Sequence, residues 1–71
     1  MGQLRQQFAQ RVKALRRHKG MTQEDLAQAA GLSVNFIRAV EQAVNAPSFE
    51  SLEAIAGVLE VEVRELFDFR G

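Results

Sequence analysis

Seventy-one residues with nine basic side chains, nine acidic ones and no cysteine exclude disulfide staples and thiolate metal sites, and a chain this short buries only about 60% of its unfolded surface. Apolar residues make up 46% and include no run near the ~20 needed to cross a bilayer, so no membrane span is expected, and the scarcity of proline, one residue, predicts an all-α fold. The zero net charge hides a division. Residues 1–45 hold seven basic against three acidic side chains, net +4, and residues 46–71 hold two against six, net −4.

A split of this kind suits one face for a polyanion and another for a different contact, although charged, solvated helix faces alone would also produce it. The N-terminal stretch with Gln3, Arg5, Gln6 and Gln7 has no signal-peptide core, and the expected location is cytoplasmic.

Leu4, Phe8, Val12 and Leu15 recur at helical spacing and Gly20 follows them, which predicts a first helix over residues 3–18. Thr22 with Asp25 three residues on imitates a capping box and opens a second helix, Gln23 to Ala30, with Leu26, Ala27 and Ala30 inward. Gly31 ends it in a left-handed turn and Ser33 caps a third helix, Val34 to Gln42, with Ile37, Val40 and part of Glu41 inward. Asn45, Ala46 and Pro47 form a loop. Ser48 caps a fourth helix whose core stripe is Phe49, Leu52, Ile55, Ala56 and Leu59. A fifth short helix, about Glu62 to Phe67, closes the core with Val63, Leu66 and Phe67. One five-helix domain over residues 1–71 results, without repeats or linkers.

Residues 23–42 read QEDLAQAAGLSVNFIRAVEQ, and each special position has a steric reason. Ala27 is small where the third helix crosses, Gly31 makes the sharp turn, and Leu26, Leu32, Ile37 and Val40 fill the wedge between the helices. Rotating about 100° per residue from Ile37 sends Asn35, Arg38, Ala39 and Gln42 to the opposite face. Val34 points the same way from the helix N-terminus. Asn35 suits adenine, Arg38 suits guanine or a phosphate, and Val34 suits a thymine methyl; outside this motif, Asn35 and Gln42 would read as ordinary solvated residues. Gln23 lies in the first turn of its helix, where exposed N–H groups favour a phosphate, and Ser33 and Asn45 are second-rank phosphate contacts by the same logic. Phe36 reads as a partly buried packing residue. His18 is the lone histidine, too little for a metal site, and no hydroxyl has a base and a supporting carboxylate at a recognisable spacing. No catalytic residue, metal, cofactor or small-molecule substrate is expected.

VKALRRHKGMTQEDLAQAAGLSVNFI, the Glu41 position and NAPSFESLEAIAGVLEV followed by ELF resemble the phage-repressor and Cro-like, XRE-type helix-turn-helix family. The resemblance covers Phe8 to Phe67. It implies a lambda-repressor-like five-helix domain that binds double-stranded DNA as a homodimer and regulates transcription. It also implies a structural ion pair between Arg16 of the first helix and Glu41 at the end of the third. The family commonly carries a basic residue where Val34, Gln42, Val44 and Ala46 stand, and glycine where Ala43 stands, so the resemblance implies several phosphate contacts that are missing here. Ala54 and Val58 form a second apolar stripe on the fourth helix, and with Val61 and Phe69 they are expected to stay exposed and form a two-fold interface, which implies a palindromic operator. The alternative is that Val61 and Phe69 fold back on the core. Two other functions use the same fold: an antitoxin or restriction-modification controller, and a protein-binding adaptor.

Overall fold

The structure is a computed structural model that describes residues 3–70; residues 1, 2 and 71, the outer bounds of the expected domain, lie outside the described residues. Four α-helices follow one another: α1 Gln3–His18, α2 Gln23–Ala30, α3 Val34–Glu41 and α4 Phe49–Leu59, and a 3-10 helix, Val63–Phe67, comes last. Side chains explain most of the starts. Thr22 Oγ1 accepts from the Asp25 N–H at 3.0 Å and Asp25 Oδ2 accepts from the Thr22 N–H at 2.9 Å, a reciprocal pair that satisfies two donors. Ser33 and Ser48 accept from the Phe36 and Ser51 N–H groups at 3.0 and 3.1 Å and start α3 and α4.

Each α-helix ends on a residue in the left-handed region. Gly20, Gly31, Ala43 and Glu60 have φ of 72°, 71°, 62° and 61°. Beyond each of them a reversed hydrogen bond closes the turn: Met21 N–H to the Arg16 carbonyl, Leu32 to Ala27, Val44 to Ala39 and Val61 to Ala56, at 2.9 to 3.1 Å. One orphan carbonyl at each of the four C-termini is met in this way.

Inside, Val12, Leu26, Ile37, Val40, Ile55 and Leu66 are fully buried, with Phe8, Leu52, Ala56 and Leu59 around them. Every α-helix thus contributes to one core, and the α2–α3 pair that carries the 23–42 motif sits on it through Leu26, Ala27, Ile37 and Val40.

Several expectations change. The fifth helix is not an α-helix: only five residues separate its cap, Glu62, from Asp68, and the bonds that form are the shorter steps from Glu65 to Glu62 and from Asp68 to Glu65. Helix α3 stops at Glu41, one residue early, because Ala43 turns left-handed. Leu4 and Phe49 are exposed instead of belonging to the core stripes. Each lies in the first turn of its helix, where a side chain leans toward the N-terminus and projects past the end of the packed surface. Phe67 is partly exposed although its ring stacks on Phe8, centroids 5.0 Å apart. Ala54 and Val58 are half-buried, not exposed, and Val58, Val61 and Phe69 pack against the core. A core this thin draws in neighbouring apolar side chains to cover itself.

Candidate nucleic-acid interface

Helix α3 is buried on one side and open on the other. Ile37 and Val40 are fully buried, whereas Asn35, Arg38 and Gln42 are exposed and Ala39 is half-buried beside them. Arg38 Nη1 donates to Asn35 Oδ1 at 3.3 Å, so the two side chains lie together one turn apart. An amide oxygen has two lone pairs, and the second one together with the NH2 group remains available to a base edge. Val34 is half-buried and packs on the core, which leaves only part of it for the groove side. Ser33 and Asn45 are exposed at the two ends of α3. The Ser33 oxygen already caps Phe36, so its hydroxyl hydrogen is the group left for an anion.

Behind this face is a buried polar anchor. Arg16 Nε and Nη2 donate to Glu41 Oε2 and Oε1 at 2.7 and 2.9 Å, and Nη1 donates to the Met21 carbonyl at 2.8 Å. The pair is almost fully removed from solvent, with side-chain exposure of 8% and 1%. The hydrogen bonds to Glu41 hold the Arg16 guanidinium more firmly protonated than usual, outweighing the opposite effect of burial. Gln23 Nε2 adds a third donor to Glu41, at 3.0 Å. Because an ionised carboxylate only accepts, the Gln23 amide nitrogen must face inward. The second amide hydrogen remains free, so the Gln23 side chain and the backbone N–H groups of the first α2 turn are both able to donate to a phosphate. Sequence reasoning missed this bond, which spans eighteen residues and has no periodic signature. The Asn35–Arg38 contact had one, the three-residue spacing of neighbours on a helix surface.

Charge on this side is sparse. Between Gly20 and Val63 the only basic residue is Arg38, and Glu24 and Asp25 stand exposed in the first turn of α2.

The sequence pattern of the helix-turn-helix family HTH_3 matches residues 12–66. The chain belongs to this family. Among helix-turn-helix relatives, it is 41% identical to the immunity repressor protein of Bacillus phage phi105 over 54 residues, 76% of this chain and 38% of the repressor. It is 35% identical to the HTH-type transcriptional regulator SinR of Bacillus subtilis over 62 residues, 86% of this chain and 56% of SinR. The chain thus spans between about two fifths and a little over half of these two regulators. In three dimensions it is similar to the restriction-modification controller protein C.AhdI from Aeromonas hydrophila, with a TM-score of 0.87 and 36% identity, over 89% of this chain and 96% of the controller. The helix-turn-helix pair is α2 and α3, so the exposed Asn35 face belongs to the second helix of the motif.

Proposed function

We propose that this domain is a DNA-binding transcriptional regulator that lays α3 in the major groove of duplex DNA. The observation that carries the reading is the division of α3, with Ile37 and Val40 fully buried and Asn35, Arg38 and Gln42 exposed together on the opposite side. Asn35 reads a base edge, Arg38 reads guanine while neutralising or clamping the adjacent phosphate, Gln42, Ala39 and the outward part of Val34 line the contact, and Ser33, Asn45 and Gln23 hold phosphates. Arg16 and Glu41 fix α3 against α1 without touching DNA. The domain works as a homodimer on a palindromic operator, in the cytoplasm, and performs no catalysis.

A second reading within the same chemistry is a restriction-modification controller, favoured by the similarity to C.AhdI, which covers 96% of that protein.

Selection from random duplexes tests the proposal. It should return a palindromic site, and Asn35→Ala should lose about 1–3 kcal/mol on that site and relax one base position. Equal loss on every sequence would make Asn35 a phosphate contact, and no loss would remove α3 from the groove.

A further inference from the structure

We propose that Arg38 fixes the orientation of the Asn35 amide and thereby makes this pair of residues prefer an A·T base pair to its reverse, T·A; the inference rests on the proposed placing of α3 in the major groove and names part of the sequence read there. An asparagine amide on a helix surface turns about its terminal bond, and its two settings exchange the oxygen for the NH2 group. Asn35 is exposed, and among the described residues its side chain has one hydrogen-bond partner, Arg38, whose Nη1 donates to Oδ1 at 3.3 Å. An arginine only donates. It therefore draws the amide oxygen to its own side and turns the NH2 group the other way.

The rest of α3 leaves Arg38 on this partner. The carboxylate three residues on, Glu41, is at the spacing of an ion pair on a helix surface, but it is buried and its oxygens are taken by Arg16 and Gln23. Ala39 and Gln42, beside Arg38 on the open side of the helix, carry no negative charge. The guanidinium spends one of its several N–H groups on Asn35, and the others still meet O6 and N7 of guanine.

Held in this way, the two side chains present groups in a set order: the Asn35 NH2 group as donor, the free lone pair of its oxygen as acceptor, then the Arg38 fork as donor. Adenine offers N7 as acceptor and N6–H as donor, which meet the first two. A T·A pair presents its acceptor and donor in the reverse order, and a flipped amide would be needed to meet them. Flipping sets the NH2 group against the guanidinium, donor against donor, so the reverse pair is refused. Arg38 is thus a positioning residue for the base under Asn35 as well as the reader of its own guanine.

The test compares duplexes that differ only by A·T against T·A at the position Asn35 reads, identified as the one that Asn35→Ala flattens. A ratio of two affinities cancels any uniform loss of phosphate contact. The parent protein should favour A·T by roughly fivefold or more. Arg38→Met keeps the side-chain stem but cannot donate, and it should largely abolish that preference while the helical circular dichroism persists. Arg38→Lys still donates to Oδ1 and should keep the preference, although it weakens the one for guanine. A parent indifferent to A·T and T·A, a preference unchanged in Arg38→Met, or equal loss in Arg38→Lys and Arg38→Met would overturn the orienting role. In each of these cases sequence-selective binding by the parent would leave the DNA reading standing, whereas a parent that selects no duplex at all would defeat that reading and the orienting role together.

Discussion

At the scale of single residues, the molecule depends most on two buried polar groups, Arg16 and Glu41, and on the half-buried Gln23 beside them. Glu41 receives two hydrogen bonds from Arg16 and one from Gln23, so its charge is compensated although its side chain is only 1% exposed. Removing one partner of such a pair strands the other in a low-dielectric site. Arg16→Ala or Glu41→Ala should each lose about 3–5 kcal/mol of stability, and the double variant should lose less than the sum; strict additivity in urea unfolding would show that the two charges do not interact. Gln23→Ala removes one of three donors and leaves Glu41 paired, so its loss should be nearer 1 kcal/mol. The pairing of Arg16 with Glu41 could be inferred from the family resemblance. The inward turn of Gln23 could not, because a glutamine at a helix N-terminus reads equally as an anion contact, and only the carboxylate behind it decides which way the amide faces.

Among the elements, helix starts were more legible than helix ends. Thr22, Ser33 and Ser48 carry their capping chemistry in the side chain, and each opens the helix expected of it. Two ends, at Gly20 and Gly31, were legible because glycine adopts positive φ without a Cβ penalty. The other two fall on Ala43 and Glu60, where the side chain opposes the conformation and the surrounding packing imposes it. The exposed first-turn residues Leu4 and Phe49 had the right spacing for the core but not the right height along their helices, and spacing alone cannot report height. Ala43→Gly should relieve the left-handed strain and, after allowing for the extra freedom of glycine in the unfolded chain, stabilise by roughly 0.5–1 kcal/mol. Gly57 is the opposite case, since it lies inside α4 and a Cβ there would meet nothing within 4 Å. Gly57→Ala should add about 0.5–1 kcal/mol. A drop in melting temperature for either variant would mean that the backbone or the space around it differs from this description.

For the whole molecule, charge governs both stability and binding. The Asp25 carboxyl is held below the usual range chiefly by the Thr22 N–H, Glu60 by its hydrogen bond from Lys19, and Asp68 by Arg70. A depressed carboxylate favours the folded state while ionised, so its contribution is complete above the unfolded value of about 4 and fades as pH falls below it. The melting temperature should therefore fall between pH 5 and pH 3, by about these values, and fall less in Asp25→Asn; an equal fall would exclude the cap as a titrating element. The basic excess of residues 1–45 is smaller in space than in sequence, because Arg16 is spent inside on Glu41, Lys19 is paired with Glu60 and Arg11 Nε donates to the Glu65 carbonyl at 2.9 Å. Arg38 is then the one basic side chain of the α2–α3 unit, and the other phosphate contacts proposed here are neutral donors that release few counterions. With a slope near −0.9 per neutralised phosphate, the logarithm of affinity should decline with the logarithm of salt by only about 1 per domain, or about 2 for the pair. Arg38→Ala should remove most of that dependence. A slope near zero in the parent protein would point to a protein partner instead of DNA, and a slope several times steeper would show that exposed α1 cations such as Arg17 reach the backbone and that the face in contact extends beyond the α2–α3 unit.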